Sequence, residues 1–304
     1  MRTYAPADPS TVLERLLEEP SLARGIVHHE VIPPREAMHA PMPSWLDPRI
    51  VKGLAGRGIE QLYTHQAEAI EAVHAGEDVV VVTPTASGKT LCYALPALQA
   101  IAEDPAARAL FMFPTKALGQ DQVTEFGELA AAASLSIITS TYDGDTPAPI
   151  RSTVRAAGQV VVTNPDMLHS AILPHHTKWF QLFEQVQVIV IDELHTYRGV
   201  FGSHVANVLR RLMRICAHYG SHPIIVCCSA TIGNPGELAT ALIGRPVAVV
   251  DRTGAPDRAP NRGGRVAVVG RGGDVEVARA GQLRELGHLV LAERFGREEE
   301  KRSC

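Results

Sequence analysis

The amino-acid sequence predicts an α/β domain with a mainly parallel sheet and helices on both faces. Two observations carry that prediction. From Gly58 to about Asp251, short β-branched runs alternate with longer helical stretches, the pattern of strands joined by crossover helices. The runs are apolar throughout, as strands covered on both faces are. A third observation bears on function. The chemically suggestive residues fall where these strands end, and open α/β sheets bind ligands at the carboxyl ends of their strands.

Composition narrows the function classes. The 304 residues are 45% hydrophobic and 20% charged, with a net charge of −4, ordinary for a globular protein. A mildly acidic total argues against wholesale polyanion binding but allows a local basic track. Met1 to Pro20 lacks the apolar stretch of a signal peptide. The apolar runs at Val79–Val82 and Val186–Ile191 are strand length, too short for a bilayer, so no membrane partner is expected. The five cysteines show no C-x-x-C spacing and read as buried small side chains in a reducing cytoplasm.

In chain order, residues 1–57 read as an N-terminal adapter segment. Thr11–Glu19 suits a short amphipathic helix and Gly25–Ile32 an extended segment. Pro33, Pro34, Pro41 and Pro43 break anything longer, and Pro48–Leu54 begins another helix. Residues 58–256 form the main domain. Strands are expected at Asp78–Thr83, Ala109–Phe113, Ser136–Ile138, Gln159–Thr163, Gln187–Ile191, Pro223–Cys228 and Val247–Val250. Helices are expected near Lys89–Ala102, Ala117–Ala133, Pro165–Ser170, Ser203–His218 and Pro235–Ile243. Residues 257–304 are rich in Arg, Gly and Glu and end in the charge run Arg297–Arg302. Apart from a helix candidate at Arg284–Phe295, they read as a disordered or aberrant tail.

The strongest chemical signal is Thr83-Pro84-Thr85-Ala86-Ser87-Gly88-Lys89-Thr90, directly after a strand and opening a helix. A nucleoside triphosphate needs converging backbone N–H groups, a helix N-terminus, a cation and a hydroxyl for Mg²⁺. Thr85, Ala86, Ser87 and Gly88 supply the backbone cradle, Lys89 spans the β- and γ-phosphates, and Thr90 supplies the hydroxyl. Thr83 stands where the phosphate-loop pattern has its first glycine. A second apolar strand runs into Asp192-Glu193-Leu194-His195. Phosphoryl transfer to water needs one carboxylate on Mg²⁺ and another group on the attacking water, and Asp192 and Glu193 suit those roles. A metal site built from His175, His176, His218, His222, Cys227 and Cys228 fits no structural zinc spacing. Cys227 and Cys228 also continue a strand, so they face opposite ways.

Together these residues resemble superfamily 2 DExH-box helicases. The loop at 83–90, Asp192-Glu193-Leu194-His195 and Ser229-Ala230-Thr231 match motifs I, II and III in order. Tyr63-Thr64-His65-Gln66 resembles the adenine-recognising Q motif, and the Gln66 amide suits an adenine edge. Pro114-Thr115-Lys116-Ala117-Leu118 resembles motif Ia, and Thr163-Asn164-Pro165-Asp166-Met167-Leu168 the segment after it. The wording of the phosphate loop and Tyr142-Asp143-Gly144-Asp145-Thr146-Pro147 are similar to the RecQ-related, MrfA-like group of DNA-repair helicases.

The resemblance implies a RecA-like P-loop NTPase domain that couples hydrolysis of ATP with Mg²⁺ to movement on DNA, single-stranded or tailed duplex, with RNA as the other candidate strand. It implies catalytic roles for Lys89, Asp192 and Glu193, and Mg²⁺ held by Thr90 and Asp192. Thr115, Lys116, Thr163 and the turn at Pro165 would contact the nucleic-acid backbone. His195, Ser229 and Thr231 would couple the two sites. It also implies a second RecA-like domain carrying an arginine finger. Gly270-Arg271-Gly272-Gly273 is the nearest string to that motif and follows Thr231 too soon. The chain therefore reads as the first motor domain of a helicase ended early. The alternative is a non-catalytic module that binds ATP or nucleic acid and unwinds nothing. A phosphate-loop kinase or transport ATPase is disfavoured by the DELH and Ser229-Ala230-Thr231 strings.

Overall fold

The computed structural model describes residues 18, 26–32, 35–256, 265–270 and 275–278. The chain divides into two compact units, Met38–Ala255 and a smaller one formed by Met1–Ala37 with Pro256–Cys304.

In the larger unit, β2 (His39–Ala40) pairs with β3 (Leu62–Tyr63) beside a seven-stranded sheet. The sheet strands are β4 (Val79–Val82), β5 (Arg108–Met112), β6 (Thr139–Thr141), β7 (Val160–Thr163), β8 (Val186–Ile191), β9 (Ile224–Ser229) and β10 (Ala248–Val250). Their order is β10-β4-β9-β8-β5-β7-β6, and every pairing is parallel. The apolar runs alternate between two cores, one on each face. Val79, Phe111, Val162, Val190 and Cys228 point to one, and Val80, Leu110, Val161, Ile189 and Cys227 to the other. Burial on both sides is why the runs show no polar alternation. Cys227 and Cys228, on opposite faces, share no site.

The helices begin where local chemistry allows. Asp47 accepts the Arg49 N–H at 2.8 Å at the start of helix Pro48–Gly56, and Thr115 caps helix Lys116–Ala132. Helix Pro235–Ile243 starts on a proline and ends at Gly244 with φ +78°. No helix of the described residues is long and apolar enough to cross a membrane.

Several expectations need correction. Helix Pro48–Gly56 buries Ile50 and Leu54 in the core of the larger unit, so that unit takes in residues the adapter reading set apart. The strand expected at Ser136–Ile138 forms instead at Thr139–Thr141. It is an edge strand, and Ile138 is left exposed, so apolar character marked the position poorly. The helix expected over Pro165–Ser170 covers only Pro165–Met167 before the chain tightens and loosens in irregular turns as far as Trp179. Helix Ala148–Ala157, with Pro147 at its N-cap and Pro149 in its first turn, was not anticipated.

In the smaller unit, β1 (Ile26–Ile32) pairs antiparallel with β11 (Arg265–Gly270), which pairs with β12 (Val275–Ala278). β11 and β12 fall inside the stretch read as a loose tail, while β1 lies in the segment expected to be extended. Val266, Val268, Val269, Val275 and Val277 favour extended backbone, a local signal hidden by the Arg/Gly/Glu-rich average. The helices expected at Thr11–Glu19 (apart from Glu18) and Arg284–Phe295 lie outside the described residues.

Candidate nucleotide and nucleic-acid site

Strand register collects the site. Val82 lies beside Ser229, Cys227 beside Ile191, Ile191 beside Met112, and Met112 beside Thr163. The residues that follow these strands, from Thr83 through Asp192 to Asn164, therefore share the carboxyl edge of one sheet. Parts separated by more than a hundred residues of chain meet there.

The loop after β4 is closed by its own side chains. Thr83 is fully buried, and its Oγ1 lies 2.7 Å from the Ser87 hydroxyl. This bond spans the turn and explains how a threonine serves where the motif has a glycine. Ala86 and Gly88 take positive φ angles of 62° and 82°. A Cβ on Gly88 would also sit 2.6 Å from Gln66 Nε2, so only glycine fits. The N–H groups of Ala86, Gly88 and Lys89 have no hydrogen-bond partner among the described residues. Lys89 Nζ folds back to donate to the carbonyls of Thr83 (2.8 Å) and Pro84 (3.0 Å). The loop thus offers unpaired donors and a cation satisfied only by its own backbone, the complement of a phosphate chain.

Gln66 departs from expectation. It is buried, its Oε1 accepts the Tyr63 N–H at 2.9 Å, and its Nε2 donates to the Gly88 carbonyl at 2.8 Å. The amide ties the turn before helix Thr64–His74 to the phosphate loop, leaving one N–H and one lone pair for a base. Gly254 holds this turn from outside, donating to His65 Nδ1 at 3.2 Å.

At the end of β8, burial pushes the Asp192 carboxyl up to about 6, against the Glu193 N–H it accepts at 2.8 Å. No ion pair reaches it among the described residues. Glu193 sits in the left-handed region at φ 52°, a conformation that costs energy for a residue with a Cβ. Its Oε2 lies 3.2 Å from His195 Nδ1. The donor set fits Mg²⁺: a carboxylate without an ion-pair contact among the described residues and a hydroxyl, Thr90, on the same edge. Few protein oxygens, with phosphate and water for the rest, is how Mg²⁺ binds. Thr90, Asp192 and the unpaired N–H groups would hold the metal and nucleotide.

The expected nucleic-acid contacts separate into two groups. Thr115 and Lys116 are exposed at the start of helix Lys116–Ala132. Lys116 Nζ pairs with Asp145, on a loop that Arg151 braces by donating to the carbonyls of Asp143, Gly144 and Thr146. Thr163 and Pro165 are buried, against expectation. The Thr163 hydroxyl donates to the Tyr142 carbonyl at 2.8 Å, and Asn164 accepts the Met167 N–H at 2.9 Å, so this turn is capped from within. The coupling residues divide too. Ser229 is buried with its hydroxyl unpartnered, while Thr231 is exposed, and neither bonds to the Asp192-Glu193 turn.

Sequence reasoning missed Asp145 as a partner of Lys116, and Glu125, which takes a hydrogen bond from Thr90 at 3.4 Å. Glu125 belongs to no recognised string, and Asp145 lies in the Tyr142–Pro147 string, which was read only for its family resemblance. The spacing of Gln122 and Glu125 on one helix face was the available signal.

The DEAD/DEAH box helicase family matches residues 63–238. The chain is 58% identical over 244 residues to the uncharacterised ATP-dependent helicase YprA of Bacillus subtilis, covering 80% of this chain and 33% of that protein. It is 37% identical over 250 residues to the ATP-dependent helicase HRQ1 of Saccharomyces cerevisiae, covering 81% and 23%. Its fold superposes on the crystal structure of the DUF1998 helicase MrfA bound to DNA and AMPPNP with a TM-score of 0.79 and 54% identity, over 86% of this chain and 36% of that one. The chain spans about a third or less of the length of these relatives.

Proposed function

The chain belongs to the DEAD/DEAH box helicase family, and from that premise we propose that it is the first, ATP-binding motor domain of an ATP-dependent DNA helicase. The observation that carries the reading is the sheet edge that gathers Lys89, Thr90, Asp192 and Glu193, with a lysine folded into an otherwise donor-lined loop. The DNA and nucleotide in the MrfA crystal structure support it, as does the exposed basic helix start at Thr115 and Lys116.

In this reading Lys89 leaves its own carbonyls for the phosphates, and the loop N–H groups bind the oxygens between them. Thr90 and Asp192 hold Mg²⁺, which when bound neutralises charge that develops on the phosphate oxygens. Glu193 orients the attacking water and takes its proton, and His195 steadies the Glu193 carboxylate. Thr115 and Lys116 grip the DNA backbone without reading bases, with Lys116 exchanging Asp145 for a phosphate. Thr163 and Pro165 shape that track and do not donate to it. The placement is cytoplasmic, where the buried thiols of Cys92, Cys216, Cys227 and Cys228 stay reduced.

Phosphate release and strand displacement on a 3′-tailed duplex test the reading. The 304-residue chain alone is expected to hydrolyse ATP near background, because an opposing arginine is typically worth about 10³–10⁵ in rate. Fused to a second RecA-like domain it is expected to do both. A fusion that binds nucleotide yet shows neither activity would favour the non-catalytic module instead.

A further inference from the structure

Helix Thr90–Glu103, which opens at the phosphate loop, lies against β5 and β8, helix Lys116–Ala132 lies against β6 and β7, and the two meet through polar side chains beside Thr90. Thr90 Oγ1 donates to Glu125 Oε2 at 3.4 Å. Gln122 Nε2 reaches the same oxygen at 3.5 Å, and Tyr93 OH donates to Gln122 Oε1 at 2.6 Å. Each helix supplies residues three apart, hence on one face. Tyr93 is buried and packs edge-on to Phe111, which packs edge-on to Phe126. The polar row is therefore anchored to the core at one end and to the site at the other.

From this geometry we propose that Glu125 is a positioning residue for the metal–nucleotide site. A threonine hydroxyl has one proton and two lone pairs. Its proton given to Glu125, Thr90 keeps lone pairs for Mg²⁺ in a fixed direction. The contact is longer than the usual 2.7–2.8 Å for a hydroxyl donor. Metal ligation makes the hydroxyl proton more acidic and tightens it, so metal and carboxylate reinforce each other across Thr90. Glu125 touches neither metal nor nucleotide and acts only through Thr90. The inference rests on the nucleotide-site reading given above.

The test is equilibrium binding of a fluorescent ATP analogue to the 304-residue chain, in EDTA and across a Mg²⁺ titration, for the parent, Glu125→Ala and Glu125→Gln. Outer-shell partners of metal ligands typically change metal affinity by about 10–100-fold. The Mg²⁺ midpoint is expected to rise about tenfold in Glu125→Ala, with affinity in EDTA unchanged. Glu125→Gln, which keeps an accepting oxygen, should fall between it and the parent, and it carries the test if the alanine variant does not fold. A midpoint unmoved in the folded variants, or an equal loss with and without Mg²⁺, overturns the proposal. A parent whose binding ignores Mg²⁺ would instead overturn the nucleotide-site reading, and this inference with it.

Discussion

Asp192, the proposed Mg²⁺ ligand, works against the fold that carries it. Its carboxyl is pushed up to about 6 by burial, from an ordinary 3.8, although the nearby Lys89 charge pulls the other way. A raised carboxylate costs the folded state energy where it must be charged, here on the order of 3 kcal/mol above pH 6. The cost fades as the pH falls from 6 toward 3.8 and the folded form takes up its proton. Asp192→Asn is therefore expected to melt at a higher temperature than the parent at pH 7.5 without Mg²⁺, with the gap closing near pH 4. A lower melting temperature at pH 7.5 would show that the carboxylate has a partner the structure lacks. Glu193→Gln makes a different prediction. In a two-domain fusion it should bind nucleotide normally while hydrolysis falls about 10²-fold or more, because an amide cannot take the proton from water. Unchanged phosphate release would place the base elsewhere. Both carboxylates were legible in the sequence because an apolar strand ending in acids is a local pattern. The Thr163 bond to Tyr142 and the Gln66 bond to Gly88 were not, since they depend on neighbours 21 and 22 residues away in the chain.

At the scale of elements, helix Pro48–Gly56 gives a contrast between two glycines. A Cβ on Gly53 would lie 2.7 Å from the backbone of Ala132 and Ala133, where helix Lys116–Ala132 ends, and backbone cannot move aside as a side chain can. A Cβ on Gly56 would meet nothing within 4 Å. Helix propensity favours alanine by about 1 kcal/mol inside a helix, as at Gly53, and by less at the last helical residue, Gly56. At Gly53 overpacking of about 1–3 kcal/mol outweighs it, so Gly53→Ala should lower stability in urea unfolding and Gly56→Ala should raise it slightly. Equal effects would mean that the two helices do not pack as described. The main strands were readable because burial on both faces removes polar alternation, leaving plain apolar runs. The edge strand β6 and the strands β11 and β12 were not, because averaged composition hides short extended segments.

On the scale of the whole molecule, the proposed reading has one RecA-like unit bring metal, phosphate and strand contacts to a single sheet edge and leave charge on the far side of the nucleotide to another domain. Its hold on DNA should be weak and salt-sensitive, since of the two exposed residues proposed to contact the backbone, Thr115 and Lys116, only the lysine neutralises a phosphate. The central claim is that the loop at 83–90 binds a triphosphate through Lys89. Anisotropy of a fluorescent ATP analogue with Mg²⁺, comparing the parent chain with Lys89→Ala, tests it most directly. A charge-assisted hydrogen bond worth about 1.5–3 kcal/mol predicts a loss of affinity of about ten- to a hundredfold in the variant. Equal affinity of the two proteins would contradict it, and the sheet edge would no longer be a nucleotide site.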